Sequence, residues 1–140
     1  MEQNNLPSTK AIVKRVLALI GIICLIVLLA AGIKYYQRNV SWNKLFVLTY
    51  IGTEENTQGH SMGRKYQIYN DSNNVYEIDC IYIEVSDAHE KYIVPYEVHI
   101  TLQPHSEKEE IIRYTRIGEY FGVEEYPCNF VIKGFDYKKR

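Results

Sequence analysis

The sequence predicts an all-β domain, an antiparallel sandwich of about seven short strands, preceded in the chain by one transmembrane helix. Three observations predict it. Residues 16–33 of the 140 read VLALIGIICLIVLLAAGI, with no charge and no strongly polar group. From residue 45 onward the apolar residues recur with period two, and turn-forming clusters separate the runs. No segment after residue 40 carries a 3.6-residue period, which favours a sandwich or barrel over βαβ units.

Eighteen apolar residues at helical rise reach about 27 Å, close to the hydrocarbon thickness of a bilayer. A helix is the one single segment that crosses lipid with its backbone groups satisfied. A buried soluble helix of this length would show a polar stripe, and this one has none. Lys14 and Arg15 abut the run and Ala30-Ala31-Gly32 closes it, as in a cleavable signal. The run exceeds the roughly 7–15 apolar residues of a signal peptide, so a retained signal-anchor is expected, with a secreted form after cleavage as the alternative. No Cys follows the small residues, so bacterial lipoprotein-type lipid attachment is not indicated. Lys10, Lys14 and Arg15 precede the run, and Lys34, Arg38 and Lys44 follow it. The positive-inside bias is therefore nearly balanced. The closeness of the first set to the helix and the short N-terminal tail favour an inside N-terminus, with the domain extracytoplasmic at the cell membrane.

The chain then divides into a disordered tail over 1–9, a helix over 10–38, a connector over 39–44 and a β-domain over 45–140. Tyr35, Tyr36 and Trp42 suit an interfacial belt, and Trp42 is equally suited to packing on the domain. Strands are expected over 45–51, 65–69, 75–85, 92–94, 97–102, 110–117 and 130–137, with loop over 53–63 and 118–127. The latter stretch is alternatively a single helical turn. Asn70-Asp71-Ser72-Asn73-Asn74 is a turn cluster, and Pro95 bounds the fourth strand. In the third, Ile78, Cys80 and Tyr82 share one face and Ile81, Ile83 and Val85 the other. That switch of apolar face predicts a bulge or two-sided burial.

Residues 45–137 hold seven Lys/Arg against sixteen Asp/Glu, a net of −9, whereas the flanks are basic. An acidic body argues against nucleic-acid binding; the basic residues beside the helix can meet lipid headgroups. Of three cysteines, Cys24 is a small hydrophobe in the apolar run. Cys80 and Cys128 are the pair that an oxidising compartment would allow to bridge. Gly59-His60-Ser61-Met62-Gly63 fits the G-x-S-x-G nucleophile elbow and resembles the wording of α/β-hydrolase lipases and esterases. That chemistry needs a strand, a tight turn and a helix in succession, and here a strand is expected to follow, in a chain too short for the parallel sheet. A hydrolase using Ser61 is the disfavoured alternative. His60, His89, His99 and His105 have no metal-ligand spacing, and Asp79, Glu84 and Glu97 suggest no specific acid–base pair. No catalytic residue, cofactor or metal is expected. Asn39-Val40-Ser41 and Asn70-Asp71-Ser72 fit the glycosylation sequon. Of the thirteen tyrosines, most alternate with aliphatics as half-buried strand residues do. Tyr120, Phe121 and Tyr126 fall outside the strands and are the candidates for an exposed contact patch.

The run from Tyr66 to Ile117 combines an apolar strand, the N-D-S-N-N turn, a long strand, a Pro-bounded strand and a P-x-S-x-x-E turn. It resembles the immunoglobulin-like sandwich modules of small, N-terminally anchored bacterial envelope proteins, although the F-x-L-Y-D signature of one such family is absent. The resemblance implies an immunoglobulin-like sandwich and a non-enzymatic binding or assembly module. Its partners would be membrane lipid through residues 16–33 and a protein or surface polymer. The competing reading is a cytosol-facing membrane adaptor.

Overall fold

A computed structural model describes residues 9–36, 38 and 41–140. The expected N-terminal tail, apart from Thr9, and positions 39–40 of the first sequon lie outside the described residues. Two units result, one ending at Tyr35 and the other running from Tyr36 to Arg140.

The first unit holds helix α1, Thr9–Tyr36, except for its last residue. The helix's 28 residues include an 18-residue window of mean hydropathy 3.2, and none of that window is buried. It is long and apolar enough to span a membrane, as the uncharged run over 16–33 requires.

The second unit is mostly β: β1 (Phe46–Glu55), β2 (Ser61–Asn70), β3 (Tyr76–Ser86), β4 (Lys91–Leu102), β5 (Glu107–Arg113), then α2 (Tyr114–Phe121) and β6 (Phe130–Lys139). Two antiparallel three-stranded sheets form, in the orders β1-β2-β5 and β4-β3-β6. Both sheets contribute to one hydrophobic core. Phe46, Ile68 and Ile112 come from the first; Ile78, Ile81, Ile83, Val94, Leu102 and Phe135 come from the second. Phe46 is the hub between them, meeting Tyr76, Phe135 and Tyr137 edge-on at 5.4, 5.7 and 5.3 Å.

Six strands are described where about seven were expected. The stretches on either side of Pro95 are one strand, β4. Proline is tolerated there because β4 is an edge strand, so one N–H can be lost without breaking a ladder. The expected strand over 110–117 ends at Arg113, and the chain turns into α2, which buries Tyr114, Ile117 and Gly118. The loop expected over 53–63 shrinks to the turn Asn56–His60, because β1 and β2 extend into it. The face switch in β3 is present. Both its ladders shift register between Ile78 and Cys80, so Tyr76 and Ile78 before the shift, and Ile81, Ile83 and Val85 after it, all enter the core.

The expected 39–44 connector is partly docked on the β-domain, its residues 39–40 lying outside the described residues. The Arg38 guanidinium lies 4.5 Å above the Tyr82 ring. Trp42 donates its indole N–H to the Lys133 carbonyl at 3.0 Å and meets Phe135 edge-on at 4.9 Å. Ser41 Oγ and the Tyr137 hydroxyl are 2.5 Å apart. Gly134 makes room for this strap, since a Cβ there would collide with the Arg38 carbonyl. Replacing Gly134 with Ala is therefore expected to lift the strap. Trp42 is the only tryptophan, so its fluorescence should shift to the red while far-ultraviolet circular dichroism stays unchanged. An unshifted spectrum would refute the steric role of Gly134.

Among the described residues, Asn70 is the one buried polar side chain. Its Nδ2 donates to the carbonyls of Asn74, Gln103 and, more weakly, Leu102, at 2.7, 3.0 and 3.4 Å. Its Oδ1 accepts from Ser72 N–H and Oγ at 3.2 and 2.7 Å. The turn cluster is thus locked to the end of β4, and the Asn70 sequon is closed to modification in the folded domain. Asn70→Ala leaves these groups unpaired and should cost about 2–4 kcal/mol in urea unfolding; a loss within 0.5 kcal/mol, roughly the surface norm, would contradict the assignment.

Candidate functional site

The aromatic residues singled out beyond the strands converge. Helix α2 ends at Gly122, which adopts the left-handed φ of 71° that favours glycine. Val123 N–H then bonds back to the Gly118 carbonyl at 2.9 Å, and Tyr126 N–H to the Tyr114 carbonyl at 3.1 Å. This return lays the Tyr126 ring on Phe121, with centroids 4.8 Å apart and planes 28° from parallel. Phe121 also meets Tyr120 and, across from β4, Tyr92, both edge-on at 5.1 and 5.5 Å. Phe121 and Tyr126 are half-buried against the core, whereas Tyr120 is 52% exposed.

Beside Tyr120 is an open cleft of about 210 Å³ between β4 and α2, lined by Pro95, Tyr96, Glu97, Arg116, Glu119 and Tyr120. Its floor is fixed. Tyr96 donates its hydroxyl to the Ile111 carbonyl at 3.0 Å and accepts the Arg113 N–H at 3.2 Å. The Arg116 guanidinium sits 4.4 Å over the Tyr96 ring. Tyr92 donates to Glu90 Oε2 at 2.6 Å, and this carboxylate holds its hydroxyl up at about 12. Tyr92, Tyr96 and Arg116 were not foreseen. The first two read as ordinary strand residues, and Arg116 faces the cleft only because α2 is helical.

The remaining candidates are dispersed. Ser61 opens β2 in an antiparallel hairpin, and no helix follows it. The two glycines of its motif have separate causes. Gly59 takes φ 79° in the turn, which Asn56 closes through Oδ1 to the N–H groups of Gln58 and His60. Gly63 pairs with Arg113, and a Cβ there would come 2.5 Å from the Ile112 carbonyl oxygen. The strand–turn–helix geometry of a nucleophile elbow is not formed. Among the described residues no three His, Cys, Asp or Glu side chains gather in a metal-binding group. Glu84 is engaged by Lys91 and Lys133 at 3.3 and 3.4 Å. Asp79 and Glu77 share Lys138 at 3.4 and 3.1 Å, and Arg140 joins Glu77.

Cys80 and Cys128 are not bridged. The register shift aligns Cys80 with Glu97 and Asp136 on its two neighbouring strands, whereas Cys128 lies before β6 with Arg64 as its charged neighbour. Burial first, and the Asp136 carboxylate second, push the Cys80 thiol up from 9.0 to about 11. The folded state thus keeps a proton that the unfolded chain gives up. The resulting stabilisation is full below pH 9 and is lost as pH rises from about 9 to about 11. Native Cys80 should resist iodoacetamide at pH 8 and react once unfolded, and Cys80→Ala should flatten the alkaline decline of the melting temperature. Rapid alkylation of the native thiol would overturn this placement.

No protein-family model matches the chain, and no curated protein and no solved structure is significantly similar to it.

Proposed function

We propose that this chain is a single-pass, membrane-anchored, non-enzymatic binding or assembly module that presents an immunoglobulin-like β-sandwich outside the membrane. Its partner, a protein or a surface polymer, would meet the aromatic surface at α2. The observation that carries the reading is the half-exposed Tyr120, backed by Phe121, which Tyr92 and Tyr126 hold in turn. A tyrosine already fixed by its neighbours offers a large amphipathic contact at low entropic cost. The adjacent cleft adds Arg116, Glu97 and Glu119 as polar rim groups.

Strand pairing supports the immunoglobulin-like part. Strand β2 pairs with β5 in one sheet and β3 with β6 in the other, as the second and fifth (B, E) and third and sixth (C, F) strands do in that arrangement. There are two departures: β4 lies beside β3 and not beside β5, and among the described residues no further strand lies beside β6. The outward orientation rests on the flanking charges: Lys10, Lys14 and Arg15 are matched in number by Lys34, Arg38 and Lys44, but Lys14 and Arg15 directly abut the apolar run.

Two measurements test the proposal. Lys139→Cys, in a chain lacking Cys80 and Cys128, should react with an impermeant maleimide on intact cells; labelling only after lysis would make the domain a cytosol-facing adaptor. A photo-crosslinking residue at position 120 should capture a discrete partner that the same residue at Glu107 does not. Equal capture at both positions would remove the case for the α2 surface.

A further inference from the structure

Four strands end the two sheets: β1 and β5 in one, β4 and β6 in the other. A bare edge offers unpaired backbone groups to any other strand, and proteins blunt such edges with charge, proline, bulges or cover. Three of the four are blunted. Strand β4 carries Pro95, and α2 packs against it. Strand β5 is short and begins Glu107-Lys108-Glu109-Glu110. Strand β6 shifts register at Lys133, receives Trp42 on that residue's carbonyl, and ends in Lys138-Lys139.

Strand β1 differs. Its first half, Phe46 to Tyr50, has no charge, no proline and a regular pairing with β2, and the register shifts that bend the strand come only after it, at Ile51 and between Glu54 and Glu55. Val47, Tyr50 and Ile51 are 49%, 54% and 41% exposed. We propose that β1 is an interaction edge that pairs antiparallel with β1 of a second copy of this chain, joining two three-stranded sheets into one of six strands.

Charge selects this occupant and this direction. Lys44 lies just before the strand, and Glu54-Glu55 closes it; Glu54 already accepts from Arg113 at 3.1 and 3.4 Å, so Glu55 is the acid that offers its charge to a second copy. Antiparallel self-pairing brings each Lys44 toward the Glu54–Glu55 end of the other copy, whereas parallel pairing would set like charges side by side. The antiparallel arrangement is two-fold and closes on itself, so it stops at a dimer. Centred on Thr49, it sets Val47 toward Ile51 of the second copy and covers the exposed apolar groups of both.

Disulfide formation at an introduced cysteine tests the pairing in the full-length chain, purified in mild detergent and lacking Cys24 and Cys128. Thr49→Cys should oxidise to a covalent dimer, Glu109→Cys on the β5 edge should not, and adding Val47→Lys should abolish the Thr49→Cys product. Unchanged thermal unfolding of the Val47→Lys chain would show that its loss is not misfolding. Dimer yield at position 49 no greater than at 109 overturns the proposal. A Thr49→Cys thiol that is neither cross-linked nor open to maleimide would assign the edge to a different occupant and overturn it equally.

Discussion

The register shift between Ile78 and Cys80 is the constraint on which the β-domain depends. Strand β3 is central in its sheet, so whichever way its side chains face fixes its neighbours too. An uninterrupted strand would send either Ile78 or Ile81 to the solvent face. The shift lets both enter the core, at the cost of turning Tyr82 outward, while Cys80, at the shift itself, stays buried. That cost has uses. Tyr82 becomes the platform for Arg38, and Gly134 opposite it admits the strap's backbone. A second shift, at Lys133, returns Phe135 to the core, where Trp42 and Phe46 meet it. One irregularity in the central strand thus fixes how the chain enters its first strand.

What the sequence disclosed followed from local chemistry. The uncharged run over 16–33 could only be a continuous apolar helix, and the Asn70–Asn74 cluster could only be a turn. The double apolar face of β3 could be read because parity within a strand is a local property. The missed features needed tertiary information. Pro95 interrupts a strand only if both its edges are paired, and nothing local says that β4 has a free edge. Residues 114–121 conceal a helix because Ile112 and Tyr114 continue the strand alternation into it. The strap rests on Gly134, some ninety residues away from Ser41 and Trp42, and its glycine read as an interruption of the last strand.

The aromatic site divides the same way. Tyr120, Phe121 and Tyr126 were legible as a group because they are near in sequence and outside the strands. Tyr92 and Arg116 joined them only through the fold: one from the edge strand, the other from a helical face that no periodicity announced.

Surface charge explains little of this stability, and the strap shows why. The ion pairs at Glu77, Asp79 and Glu84 all involve lysine or arginine side chains that are largely solvated, a setting in which each contributes about 0–1 kcal/mol. Trp42 meets Phe135 ring on ring and donates a neutral hydrogen bond to the Lys133 carbonyl, an aromatic pair that adds about 0.5–1.5 kcal/mol beyond its burial, and the Arg38 guanidinium over Tyr82 adds about 0.5–2 kcal/mol as a cation–π contact. Salt should therefore alter the acidic body's long-range repulsion more than the strap's hold. Where Arg38 and Trp42 meet the domain, shape governs the contact, through a glycine that leaves room and rings that fill it.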